Sequence, residues 1–127
     1  MAAFYLDRGG KPFKELDNGD DAGYPVITGF SKEEIESDEM AREAVMKSFE
    51  FIEAEAGSWP QELAISEIVV NRSQGITVLS GDVEIKMGFG EYKIKVGRLK
   101  RVLDDLKVKE RTARYVDLTY TGQAVVR

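Results

Sequence analysis

Short runs of apolar and β-branched residues recur through the second half of the chain. "LAISEIVVN" (63–71), "GITVLSG" (75–81) and "DVEIKMG" (82–88) follow one another with only Asn-Arg-Ser-Gln-Gly and Ser-Gly-Asp turns between them. Such β-branched content and short polar connections predict an antiparallel meander. At the start, "FYL" (4–6) and a second run at Pro12 and Phe13 flank a turn at 7–10, where Gly9-Gly10 supplies the positive φ of a tight hairpin. The segment 17–30, rich in Gly, Asp and Asn, reads as an irregular loop.

Helical spacing takes over from Ser31. Ser31 and Glu34 fit a capping box that opens a short helix breaking near Ser37. A longer helix over 38–56 places Ala41, Val45, Phe49, Ile52 and Ala56 on one face, and Gly57 and Pro60 stop it. A last helix begins between Glu91 and Lys95. It buries Leu99, Val102, Leu103 and Leu106, with Arg98, Lys100, Arg101 and Lys107 outside. The closing "RYVDLTYTGQAVVR" reads as a strand over 115–120, a turn at Thr121-Gly122 and a second short strand over 123–127. The sum is one α+β domain over 1–127, a mostly antiparallel sheet with helices packed on it, ending in a C-terminal β-hairpin.

Composition narrows the chemistry. The 127 residues are 43% apolar and 32% charged, enough for one domain with its own core. The net charge of −5 argues against nucleic acid as a partner. Absence of cysteine removes disulfides and thiolate metal sites, and absence of histidine removes the commonest general base and the usual zinc ligands. No run approaches the roughly 20 apolar residues of a membrane span.

Three local patterns invite function and are better read as structure. "DNGDD" (17–21) lacks the EF-hand spacing and its distal glutamate, so no metal is expected there. Glu50, Glu53 and Glu55 form a solvated acidic face, with no apolar pocket to raise a carboxyl pKa. Gly88-x-Gly90 sits between strand and helix as a dinucleotide loop does. Lys93 stands at the third glycine position, however, and Glu91 would repel a phosphate. The glycines let the backbone turn out of a strand. Neither catalytic residues nor a cofactor is expected.

The terminal strand is therefore the best candidate for function. Unpaired N–H and C=O groups on one side of an edge strand are a template for pairing with another chain. Its residues also carry a family resemblance. "YVDLTY…GQAVVR", with "YLDRGGKPF", "YPVITGF", "ITVLSGDVEIKMG" and "KVGRLKRVLDDL" upstream in order, resembles the extracytoplasmic β domain of the bacterial cell-division protein family FtsQ/DivIB.

The resemblance implies a non-enzymatic divisome scaffold, active in septum formation at the cell membrane. In the whole protein a cytoplasmic tail, one membrane helix and a POTRA domain would precede this piece. Its implied partners are FtsB- and FtsL-like division proteins, bound by adding a partner strand to the last strand. By motif position, Tyr120 is the anchor. Thr121, Gly122, Gln123, Ala124, Val125, Val126 and Arg127 form the receiving segment, and Arg72 is a second contact. Two departures from the family stand out: a shorter turn, and no aromatic residue just beyond the strand. The alternatives are a POTRA-associated, peptide-capturing domain of an outer-membrane transport or assembly factor and a carboxylate-dependent hydrolase.

Overall fold

The computed structural model describes residues 4–6, 12–15, 26–55, 57–120 and 124–127. In chain order the elements are β1 (Phe4–Leu6), β2 (Pro12–Glu15), β3 (Val26–Thr28), α1 (Lys32–Ser37), α2 (Glu39–Glu55), β4 (Glu67–Asn71), β5 (Gly75–Ser80), β6 (Val83–Gly88), α3 (Tyr92–Val108), β7 (Tyr115–Asp117) and β8 (Val125–Val126). The strands β1 and β2 pair antiparallel as a separate ribbon. The other six form one sheet whose spatial order, β3-β4-β5-β6-β7-β8, repeats the chain order. The α+β class is as expected. Among the described residues, no helix is long and apolar enough to cross a membrane.

The sheet is mixed. The meander β4-β5-β6 is antiparallel, as is β7-β8, but β3 runs parallel to β4 and β6 parallel to β7. The reason is the helices. Each parallel step spans a crossover, α1 and α2 in one case and α3 in the other, and a helix that runs back along the sheet returns the chain to the end it came from.

Two local expectations change as well. Val26–Thr28, inside the expected loop, is the strand β3, and its β-branched Val-Ile-Thr suits a slot beside β4. Residues 63–66 are not strand: a 3-10 turn covers Gln61–Leu63, and β4 starts only at Glu67. The expected turn at 7–10 and "DNGDD" lie outside the described residues.

The capping box forms as expected. The Ser31 hydroxyl accepts from the Glu34 N–H at 3.1 Å, and the Glu34 carboxylate accepts from the Ser31 N–H at 3.2 Å. The buried stripe of α2 is displaced from the expected one. It runs through Ala41, Ala44, Val45, Ser48, Phe51 and Glu55, with Phe49 and Ile52 at its margin. Small side chains at Ala44 and Ser48 let the helix approach closely. The Ser48 hydroxyl donates to the Val45 carbonyl at 2.5 Å, so this buried hydroxyl is not left unmatched. Ala56 lies outside the described residues.

Phe51, 1% exposed, meets Trp59 and Tyr92 edge-on, with centroids 5.7 and 5.2 Å away. It ties α2 to the entry of α3. Beneath the helices, Ile68, Val70, Ile76, Val78, Ile85, Met87, Val116 and Leu118 fill one face of the sheet.

One glycine is fixed by close approach. Gly75 has φ +86, and a Cβ there would lie 2.4 Å from the Gly88 carbonyl carbon, beside the register shift in the β5–β6 pairing. Replacing Gly75 with alanine must push β5 and β6 apart, so chemical denaturation of Gly75→Ala should show a marked loss of stability. Phe51→Ala is expected to lose about 3–5 kcal/mol in the same measurement.

Candidate functional site

The C-terminal edge is built from β7 outward. Leu118, fully buried, donates its N–H to the Lys86 carbonyl at 2.8 Å and ends β7 inside the core. The Asp117 carboxylate then accepts from the Thr119 N–H at 2.9 Å, an Asx turn that swings Tyr120 out of the sheet. The chain returns as β8, antiparallel to β7, with Val116 opposite Val126 and Asp117 opposite Val125.

Hydrogen bonding sets which groups of β8 are free. Arg127 and Tyr115 exchange both main-chain bonds, Arg127 N–H to Tyr115 C=O at 2.9 Å and Tyr115 N–H to Arg127 C=O at 3.1 Å. Pairs alternate along an antiparallel ladder, so Val116 and Val126 form the pair that exchanges none. The N–H and C=O of Val126 therefore point away from β7. β8 is last in the sheet order, and among the described residues no strand covers that side.

The side chains around this edge are open. Val126 is on the core face beside Val116 and is 38% exposed, while Val125 is on the opposite face beside Asp117 and is 43% exposed. Ala124 and Arg127 are exposed too. Tyr120 is 70% exposed, so its ring is presented to solvent rather than packed in the core. Thr121, Gly122 and Gln123 lie outside the described residues.

Arg72 is not brought to this edge. It sits in the β4–β5 turn, and β4 is four strand positions from β8, about 19 Å at normal strand spacing. Its guanidinium binds Asp38 at 2.5 Å and Glu34 at 3.4 Å, and lies 5.7 Å from the centroid of Phe30. The Glu34 carboxyl is held below its ordinary value, chiefly by the Ser31 N–H and also by Arg72.

Two residues of α3 serve the edge in ways their helical spacing does not show. Arg98, expected outside, is half-buried and donates to the Tyr120 carbonyl at 2.9 Å. Lys95 is buried, and its ammonium donates to the Met87 carbonyl at 2.7 Å and the Phe89 carbonyl at 3.4 Å. Burial lowers its pKa, with the Glu91 and Asp117 carboxylates opposing and Arg98 reinforcing. Gly88 and Gly90 (φ +64 and +79) carry the chain out of β6, and the lysine ammonium lies 3.5 Å from where a Cβ at Gly88 would stand. Lys95 was legible in principle, since it lies one helical turn before Leu99 on the buried face.

Comparison with known proteins places these residues in context. Residues 2–119 match the family model described as "Cell division protein FtsQ/DivIB, C-terminal". A cell division protein FtsQ from Geotalea daltonii is 32% identical over 130 residues, covering 98% of this chain and 46% of its own length. One from a Geobacter species is 33% identical over 128 residues, with 98% and 47% covered. One from Syntrophotalea carbinolica is 28% identical over 128 residues, with 98% and 45% covered. The chain thus spans about half the length of the curated relatives it matches. The family model stops one residue before Tyr120, whereas these pairwise matches extend over nearly the whole chain.

Asp117 gives the edge a pH dependence. Burial pushes its carboxyl up, but the Thr119 hydroxyl and N–H, the Tyr115 hydroxyl and the Lys86 charge outweigh that and hold it below its ordinary value. A depressed folded-state pKa contributes stability that is complete above the ordinary carboxylate range and is lost as pH falls through the folded value. The thermal midpoint should therefore fall on acidification, and Asp117→Asn should be less stable near neutral pH with a shallower acid slope.

Proposed function

The chain belongs to the FtsQ/DivIB family of cell-division proteins, and on that premise we propose that it is a non-enzymatic scaffold domain of the divisome that takes up a partner strand along β8. The full protein would be anchored in the cell membrane, with this β domain on the extracytoplasmic side at the septum. FtsB- and FtsL-type proteins are the proposed partners. The observation that carries the reading is the outward-facing main chain of Val126, bordered by the exposed side chains of Tyr120, Val125 and Val126.

Energetics decide how such an edge would work. Each main-chain hydrogen bond adds about 0.5–1.5 kcal/mol net, so a few of them give modest affinity. Side chains must supply the rest. Tyr120 offers a rigid aromatic surface at low entropic cost, and its carbonyl is already held by Arg98. Thr121, Gly122, Gln123, Ala124 and Arg127 complete the proposed receiving segment. Arg72 enters this reading only as a separate second contact, which would compete with Asp38 and Glu34 for the guanidinium.

The register dictates the test. Proline at Val126 removes an outward N–H, whereas proline at Val125 removes one that faces Asp117 on β7. Val126→Pro and Tyr120→Glu should each weaken capture of an FtsB-type partner by about tenfold or more, with unchanged circular dichroism. Val125→Pro should also loosen β8 itself. Undiminished binding by a well-folded Val126→Pro variant would overturn the reading.

A further inference from the structure

The chain is acidic, with a net charge of −5, yet three exposed arginines gather around the end of β8, where Glu84, half-buried beside Tyr115, and Glu110 are the nearby carboxylates. The Arg127 carbonyl accepts from the N–H groups of both Arg114, at 2.9 Å, and Tyr115, which brings the two arginine backbones together. Arg111 stands three residues before Arg114, in the turn that follows α3. All three arginine side chains are exposed.

The neighbouring lysines are already matched, Lys107 with Glu62 and Lys109 with Asp105, both at 2.9 Å. Among the described residues, by contrast, neither Arg111 nor Arg114 has a carboxylate partner, and Arg127 lies 5.2 Å from the centroid of Tyr115. A guanidinium without a carboxylate beside an open strand edge is a recognition element, because its planar fork binds carboxylates in two-point fashion.

We infer that Arg111, Arg114 and Arg127 form one end of the docking site and select a partner segment that carries acidic side chains at the end meeting Arg127. The inference rests on the reading that β8 accepts a strand, and it names the chemistry of what is accepted. An added strand runs about 4.8 Å from β8, so its end residues come within reach of these long side chains. The preference is local. Net charge alone would favour a basic partner, so a preference for acid has to come from this patch.

Synthetic strands of alternating valine and threonine, about ten residues long, provide the probe, with binding to the intact chain followed by fluorescence anisotropy. One set carries two glutamates at the N-terminal end, a second carries them at the C-terminal end, and a third carries two lysines instead. Glutamates at one end only should tighten binding by about five- to tenfold at low salt, with the gain shrinking as salt rises. The double variant Arg111→Glu/Arg114→Glu should turn the preference toward lysine, and Arg111→Gln/Arg114→Gln should abolish it without reversal.

Equal affinity for all strands would leave strand addition standing and overturn selection by the arginines. Failure of every strand to bind would overturn both. A glutamate preference that persists in both double variants would also overturn the inference. So would loss of binding to phosphatidylglycerol vesicles in those variants with peptide selection unchanged, which would assign the arginines to a membrane surface.

Discussion

Ile85 and Val116 lie side by side on adjacent parallel strands, both buried, under a helix that buries Val96 and Leu99. That contact depends on α3 lying along the sheet between β6 and β7. A helix used this way brings the chain back to the end of the sheet where β6 began, so β7 must run in the same direction as β6. The chain then turns at Asp117 and Thr119, and β8 is left on the outside. The open edge is a consequence of one crossover.

The same crossover supplies the parts that hold the edge. Lys95 and Arg98 are about one turn apart on α3, and they reach the carbonyls that end β6 and the carbonyl of Tyr120 respectively. One helix thus determines where two successive strands leave the sheet. Gly88 adds a spatial condition, since a Cβ there would lie 3.3 Å from the Thr119 methyl group and 3.5 Å from the Lys95 ammonium. The turn out of β6 and the turn out of β7 are packed against each other. This gives an otherwise minimal β8 a firm base.

Much of this was legible in the residues, and what was not has physical causes. The capping box at Ser31, the meander through Ile68, Val78 and Ile85, and the presence of the final helix follow from short-range pattern and appear as expected. That helix, however, buries Lys95, Val96 and Leu99, while Val102, Leu103 and Leu106 of the expected face are only partly buried. Strand direction does not, because nothing local to Val26–Thr28 or Tyr115–Asp117 records which way a neighbour runs. The α2 face was misplaced because Ala44 and Ser48 carry little hydrophobic weight, although helix approach selects for their small size. At the candidate site, the strand and Tyr120 could be read from pattern and family likeness. Two things needed the register: which of Val125 and Val126 turns its main chain outward, and that Arg72 lies across the sheet. Arg98 looked like a solvated helix charge because its partner is a backbone carbonyl twenty-two residues away.

A sheet laid down in chain order also bears on how the domain assembles. From β3 to β8 each strand docks beside the one before it in the chain. The antiparallel steps close short turns, whereas the parallel steps pair Val26 with Glu67 and Glu84 with Tyr115 across helical crossovers. Those two steps carry most of the loop-closure entropy as the sheet grows from the N-terminal side. β8 is then the last piece added and, with two residues of ladder, the first that thermal fluctuation can peel away. The segment that offers the open edge is also the part of the sheet with the least holding it in place.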